Sequence, residues 1–415
     1  MNYLFIHQNF PGQFCHIASE LAEQGHQVVG LGINEADKNK PLSDKVKHIR
    51  YKLHRGTTKE AHNLVKETEA KTIRGEACAI ACRQLKDKGF KPDLIYGHPG
   101  WGEMLFIKTI WPDVPMMCFQ EYFYNEEGYD CNFDLEFAEE RDFNRRSSLI
   151  MKNAYLYLTL EQSDWNVCPT HFQAGTYPDK WKNKFSVIHD GINTKVCKPA
   201  TEVVGVKLKD GTKLSSKDQV ITFINRRLEP YRGVHTMIRA IPQIQKNNPK
   251  AHIIIMGGEK GTSYGSPCPD GEWKDKFLEE IKGQYDPSLV HFTGSISYSQ
   301  YLKILQLSSC HVYMTYPFVL SWSLMEAMSV GCPIVGSDTA PIREVIQHGY
   351  NGVLFDFFSP GDLSDSITDI LKHKELGQYY GKNARQDILD KYDLDDCIQK
   401  QVTLIKMVQQ KNLML

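Results

Sequence analysis

Neither sign of charge dominates this sequence: 49 lysines and arginines stand against 50 aspartates and glutamates among 415 residues. A chain so balanced lacks the positive field on which nucleic-acid binding draws, so nucleic acid is not an expected partner. Long apolar runs are missing too. The longest, near 156–160 and 253–256, fall far short of the ~20 residues that a membrane-spanning helix needs. Paired cysteines are scarce: the eleven are odd in number and scattered singly apart from Cys78 and Cys82. These two have no second Cys or His pair at ligand spacing beside them, which argues for packing and against a metal site. With no segment at Met1 that reads as a signal peptide, reduced thiols and a cytoplasmic location are expected.

What is present is the composition of an ordinary globular protein, 41% hydrophobic and 24% charged. The length exceeds what one core usually serves, so two domains of roughly 200 residues are expected. Residues 3–6 form a short buried-strand run and 9–14 a glycine turn. Ile17, Ala18, Leu21 and Ala22 then fall on one helix face ahead of a second strand at 27–31. That is a βαβ unit, the building block of a parallel sheet. The segment 57–88 reads as largely helical, 92–98 as a strand ending on His98, and 116–119, 165–168 and 185–188 as further strands. The polar stretch 200–218 lacks apolar periodicity and reads as linker or hairpin. Beyond it, strands at 220–224, 252–256, 290–292, 311–314 and 333–335 alternate with helical stretches at 233–246, 272–283, 298–308, 322–330 and 340–347. The expected fold is α/β, with one Rossmann-like domain at 1–199 and another at 219–390. A C-terminal helix at 391–415 is placed to cross back to the first domain. The cleft between the two domains is the default ligand site.

Chemistry gathers where strands give way to turns. After the strand at 311–314 the chain runs Thr315-Tyr316-Pro317-Phe318-Val319-Leu320-Ser321-Trp322-Ser323-Leu324-Met325-Glu326 into a helix, whose free N–H groups suit an anion such as a diphosphate. Glu326 has two readings: an acceptor for vicinal hydroxyls such as those of ribose, or one half of a Ser323-x-x-Glu326 capping box. Asn225-Arg226-Arg227-Leu228-Glu229-Pro230-Tyr231-Arg232-Gly233 follows the first strand of the second domain. Arg227 and Arg232 either clamp a phosphate group or are solvated arginines at a helix start. His98 stands at a strand end ahead of Gly100 and Gly102, which let a ligand approach the backbone; packing is the alternative. Gly12 and the 257–265 turn with Gly258 also follow strands, with flexible loops as the alternative. Glu121, Tyr122 and Tyr124 follow another strand, as contacts to a second substrate or as core and rim. Gly191 marks a tight bend suited to a hinge near the domain junction. Lys47, Arg50, Lys52, Arg55 and Lys59 form a basic face, either solvated or in peripheral contact with anionic lipid.

Glu326-Ala327-Met328, the following Gly331-Cys332-Pro333-Ile334-Val335-Gly336-Ser337, Ile342-Arg343-Glu344-Val345-Ile346 and Gly349-x-Asn351-Gly352 resemble the retaining glycosyltransferases of family 4. The resemblance covers nearly the whole chain and is most specific over 220–356. It implies the GT-B architecture and a nucleoside-diphosphate sugar held mainly by the second domain. Carried over, Glu326 matches the glutamate that binds ribose. The peptide N–H groups of Val319, Leu320, Ser321, Trp322 and Ser323 match those that hold sugar hydroxyls and diphosphate. Gly12, Gly258 and Ile296 fall among the donor contacts. His98 matches the histidine that lies against the donor sugar. Arg227 and Arg232 match the Arg and Lys that clamp the diphosphate, although the Lys is here Arg and the usual Gly is Arg226. Glu121, Tyr122 and Tyr124 fall on the acceptor side.

One departure from the family is substantial. Its first glutamate, eight positions before the second, is here Phe318. The Pro-Phe-Val-Leu-Ser-Trp-Ser form resembles a subgroup of the family, so altered sugar recognition is expected. A catalytically inactive protein that binds nucleotide-sugar or a partner is the alternative. A nucleotide-sugar phosphorylase or an epimerase-like enzyme is a second, the latter needing a conventional acid/base pair. The implied activity is transfer of a hexosyl unit, with retention, to a hydroxyl of a glycan, a lipid-linked sugar or a small acceptor. No metal or other cofactor is expected beyond the nucleotide-sugar co-substrate, because the one Asp-x-Asp, Asp393-Leu394-Asp395, lies in a charged C-terminal segment.

Overall fold

The computed structural model describes residues 1–35, 42–140 and 142–410. Its contacts divide the chain into two compact units. The first comprises Met1–Asn132, Ala138–Gly191 and Asp395–Leu415, the second Phe133–Phe137 and Ile192–Leu394. The final residues of the expected C-terminal helix, 411–415, lie outside the described residues.

The first unit is built on seven parallel strands: β1 Asn2–Ile6, β2 Gln27–Gly32, β3 Lys47–Arg50, β4 Leu94–Gly97, β5 Met116–Phe119, β6 Trp165–Cys168 and β7 Phe185–Val187, in the order β3-β2-β1-β4-β5-β6-β7. The central strands are continuous apolar runs, buried along their length, because helices cover both faces of a parallel sheet. Leu4, Ile6, Val29, Ile95, Met116 and Cys118 share one core cluster with Cys78 and Cys82 of the helix Lys66–Asp87, so that cysteine pair is packing. This helix begins later than the sequence suggests; Thr58 instead bonds Glu69 of its first turn. β3 lies in the basic stretch read only as a charged face: its Lys-His-Ile-Arg sequence suits an edge strand, where charge discourages further pairing. Arg50 pairs with Glu35 and Arg55 with Glu69, which favours the solvated reading of that face. The helix Leu394–Gln409 has all but its first residue in this unit, and the Tyr3 hydroxyl donates to Gln409 Oε1 at 3.3 Å.

The second unit carries six parallel strands: β10 Val220–Arg227, β11 His252–Gly258, β12 Val290–Gly294, β13 Cys310–Tyr313, β14 Ile334–Ser337 and β15 Val353–Phe355, in the order β12-β11-β10-β13-β14-β15. A separate antiparallel hairpin, β8 Gly205–Lys207 with β9 Lys213–Ser215, falls in the 200–218 stretch. The division between units lies at Gly191 and Ile192, ahead of the boundary expected at 199. The reason is hydrogen bonding: Ile192 N–H donates to the Tyr392 carbonyl at 2.8 Å and Leu394 N–H to the Ile192 carbonyl at 3.0 Å. The short segment 133–137 was also assigned to the first domain from sequence, yet it packs in the second unit. Asp134 meets His235 Nε2 at 3.0 Å and the Tyr316 hydroxyl at 2.9 Å, and Phe137 packs against Trp273 and Phe277. Burial raises the Asp134 pKa, but these hydrogen bonds outweigh it and hold the carboxyl below its ordinary value. The helix expected at 340–347 is a single turn, Ala340–Arg343. In both sheets the strand order reverses beside the first strand, at β1/β4 and at β10/β13, and open α/β sheets bind ligands beyond the carboxyl ends of strands at such switch points.

Candidate functional site

In the first unit, β1 delivers His7 and β4 delivers His98 at the switch point. His98 is 2% exposed. Its Nδ1 accepts from the Gly100 N–H at 3.0 Å, so the neutral ring carries its proton on Nε2. That nitrogen lies 3.5 Å from the Glu121 carboxylate, which brings two of the expected residues together. The imidazole stacks on Trp101 at 4.6 Å and on Phe119 at 5.7 Å, and His7 meets it edge-on at 5.3 Å. Gly12, at φ 52°, is needed for a local reason: a Cβ there would stand 2.4 Å from the His7 ring. The protein's own histidine is thus enough to require glycine here. Tyr122 is a poor surface contact, being buried with its hydroxyl donated to Asp130 at 2.7 Å. Tyr124 is half-buried beneath the Lys152 ammonium, 3.6 Å from the ring centre.

In the second unit, β10 ends at Arg227 and leads through a tight turn, Pro230–Arg232, to Gly233 and the helix Val234–Asn247. Arg232 is 6% exposed and makes no ion pair among the described residues. One terminal nitrogen donates to the Thr315 hydroxyl at 2.7 Å, the Val319 carbonyl at 3.0 Å and the Tyr313 hydroxyl at 3.2 Å. These bonds fix the turn that follows β13; no carboxylate among the described residues pairs directly with the guanidinium, and the buried Glu229 carboxylate attracts it at longer range. Arg227, half-buried, donates to the Lys260 carbonyl and lies across Gly258, where a Cβ would meet its side chain at 2.9 Å. Glu229 is fully buried; its carboxylate accepts from the Ser263 and Tyr264 N–H groups at 2.5 and 3.0 Å, and burial pushes its pKa up against them.

The helix Trp322–Val330 starts at Ser321, whose hydroxyl accepts from the Ser323 N–H. A capping box led by Ser323 is thus not formed, and Glu326 is not its partner. Its carboxylate accepts instead from the Tyr298 hydroxyl at 2.6 Å and the Tyr301 hydroxyl at 2.7 Å. Among the expected anion-binding amides, the Ser321 N–H is committed to the Tyr313 hydroxyl at 2.8 Å and the Ser323 N–H to Ser321. Val319 is buried, while Leu320 and Trp322 are partly exposed. Phe318 occupies an aromatic slot, edge-on to Tyr231 at 5.6 Å and to Tyr264 at 4.9 Å. Ile296 stands apart from this group, lining a cavity of about 280 Å³ with Gln300, Lys303 and the hairpin residues Val206, Lys207 and Lys209. Among the described residues no cluster of His, Cys, Asp and Glu has metal-ligand geometry. No described helix is long and apolar enough to cross a membrane.

Sequence reasoning missed His7, Tyr298, Tyr301, Tyr313 and Glu229. His7 had a signal, since it follows β1 as His98 follows β4. The tyrosines had none, because their partners are far along the chain.

Two family models match successive parts of the chain: residues 24–197 match "Glycosyl transferase family 4 group" and residues 207–387 match "Glycosyl transferases group 1". An uncharacterized glycosyltransferase of Methanocaldococcus jannaschii is 28% identical over 46% of this chain and 46% of its own length. The chain thus spans about half the length of this curated relative. Among solved structures, sucrose-phosphate synthase of Thermosynechococcus elongatus superposes with a TM-score of 0.73 at 15% identity, covering 98% of this chain and 99% of the other. Anabaena HepE in complex with UDP-glucose gives 0.62 at 13% identity, covering 98% and 99%. These likenesses establish the fold as GT-B, two Rossmann-like domains each on a parallel sheet.

Proposed function

With both halves matched to glycosyltransferase domains and the chain folded as GT-B, we propose that this glycosyltransferase moves a hexosyl unit from a nucleoside-diphosphate sugar to an acceptor hydroxyl, with retention at the anomeric carbon. The observation that carries the reading is Arg232, a buried guanidinium without an ion-pair partner among the described residues, held at the β10/β13 switch point beside a helix N-terminus. Burying a charge without a directly paired opposite charge is costly; Glu229 offsets part of that cost through longer-range attraction, and an anionic ligand would offset more. A diphosphate is such a ligand, and its charge grows as the bond to the sugar breaks.

In this account Arg227 and Arg232 neutralise the leaving diphosphate, and Glu326, oriented by Tyr298 and Tyr301, accepts from the ribose hydroxyls. His98 offers its Nε2 proton to the donor sugar. The departing phosphate oxygen takes the acceptor's proton on the same face, so no protein nucleophile is required. Protein groups alone carry the phosphate charge, without a divalent cation. Phe318 removes the usual carboxylate from the sugar contact, and the aromatic slot that holds it supports altered sugar choice. Uridine diphosphate sugars are the first to test, since the HepE structure holds UDP-glucose. The acceptor is a glycan, a lipid-linked sugar or a small hydroxyl compound. The test is to incubate the purified protein with nucleotide-sugars and candidate acceptors and read the product's anomeric proton by NMR. A new glycoside with the donor's configuration is expected. Inverted product, or nucleotide-sugar bound without turnover across donors and acceptors, would contradict the reading.

A further inference from the structure

The account above leaves several buried charged side chains unused, Lys71 among them. Lys71, on the helix Lys66–Asp87, is only 7% exposed, and burial pulls its pKa below the ordinary lysine value against the attraction of Glu67. Its ammonium stands 3.6 Å from Glu67 and 4.2 Å from the centre of the Tyr155 ring, and it donates to the carbonyl of Gly100. Removing an ammonium from water is expensive, and an apolar side chain of similar length would fill the same space.

Gly100 is where this expense has an effect. Its carbonyl belongs to the peptide that leads into Trp101, whose indole stacks on His98 at 4.6 Å. The N–H of the same glycine is the donor to His98 Nδ1, at 3.0 Å. The turn leaves no slack around this contact. A Cβ on Gly100 would stand 2.6 Å from the His98 ring, and one on Gly102, at φ 103°, would stand 2.3 Å from the Lys71 carbonyl oxygen. The Lys71 side chain thus bonds the middle of the His98 turn, and the helix backbone lies close against its end at Gly102.

We propose that Lys71 is a positioning residue for His98: by pinning the Gly100 carbonyl it fixes both the donor to Nδ1 and the stacking partner of the ring, and so keeps the proton on Nε2. The proposal rests on the reading of His98 as the group that meets the donor sugar. Lys71 itself touches no substrate. Without the pin, Gly100 is free to turn its N–H away, and the ring then populates both tautomers and more than one orientation.

The experiment compares parent, Lys71→Met, Lys71→Arg and His98→Ala, reading turnover, nucleoside-diphosphate affinity and the ¹⁵N signature of the His98 ring. The parent should show a single Nε2-protonated ring. Lys71→Met should show mixed tautomers, turnover lower by roughly tenfold to a hundredfold as expected for a misplaced reacting group, and unchanged nucleoside-diphosphate affinity. Lys71→Arg, which keeps a charged donor, should recover most of the turnover. A parent-like ring signature and turnover in Lys71→Met overturn the proposal. Where Lys71→Met fails to fold, Lys71→Gln serves in its place with the same two readouts. His98→Ala separates the two ideas. If it turns over normally, the role given to His98 fails, while the ring signature in Lys71→Met still decides whether Lys71 sets that ring.

Discussion

At the scale of single residues, the arginines and Glu326 make separable contributions. Arg227 is half-buried and donates to one loop carbonyl, so Arg227→Ala should leave the melting temperature near the parent's while turnover falls by about a hundredfold, the usual cost of losing one preorganised group at a developing charge. Near-normal turnover would remove Arg227 from the phosphate site. For Glu326, the two tyrosine hydroxyls replace the capping box as the structural partners. Glu326→Gln keeps an oxygen for one tyrosine but exchanges a charged acceptor for a neutral one. A hydrogen bond to a charged group contributes ~1.5–3 kcal/mol, so nucleotide affinity should fall roughly ten- to a hundredfold. Calorimetric titration checks this, and affinity equal to the parent's would return Glu326 to a purely structural role. His98, Arg232 and Glu326 were legible in the sequence as candidates because they stand in the turns and helix starts that follow strands. The groups that orient them, Tyr313 on Arg232 and Tyr301 on Glu326, were not, since a tertiary contact leaves no local spacing to read.

At the scale of elements, the turn after β10 is the part most sensitive to backbone chemistry. Gly233 adopts φ 70°, and a Cβ there would lie 2.7 Å from the Met314 side chain. Gly233→Ala should therefore lower stability by about 1–2 kcal/mol from the left-handed backbone alone, and more from the clash. It should also weaken nucleotide binding, because the displaced residue before it is Arg232. Urea unfolding and titration on one preparation read both effects; full affinity alongside reduced stability would detach the turn from binding. The long strands of both sheets could be read from continuous apolar runs, and the helix Trp322–Val330 matched its expected span. What escaped was short or held by distant contacts. β3 offers Lys-His-Ile-Arg and β15 only three residues, too little for periodicity to register. The placement of 133–137 with the second unit depends on Asp134 finding His235 and on Glu136 bonding both terminal nitrogens of Arg239, partners far along the chain. Ser321 took the cap expected of Ser323 because the helix starts two residues earlier than a Ser323 cap would allow.

At the scale of the whole molecule, each unit contains a histidine that folds in its neutral form. Burial pushes His311 in the second unit down to about 3 and His189 in the first down to about 4, from an ordinary 6.5. The unfolded chain therefore binds more protons than the folded one at any pH between these values and 6.5. The stability from keeping the rings neutral is fully present above pH 6.5 and is lost as pH falls, by up to about 1.4 kcal/mol per pH unit for each histidine. The urea midpoint should drop between pH 7 and pH 5, and a midpoint constant over that interval would contradict this assignment. The central claim, that a nucleoside diphosphate binds at the β10/β13 switch point through protein groups alone, is tested most directly by one titration. The parent protein is melted in EDTA with rising concentrations of uridine, guanosine or adenosine diphosphate. Ligand that binds only the folded state raises the melting temperature by mass action. The account predicts a saturable rise with at least one of the three, unaffected by EDTA and shifted to higher concentration in Arg227→Ala. No rise with any of them in EDTA, restored by Mg²⁺ or Mn²⁺, would contradict it.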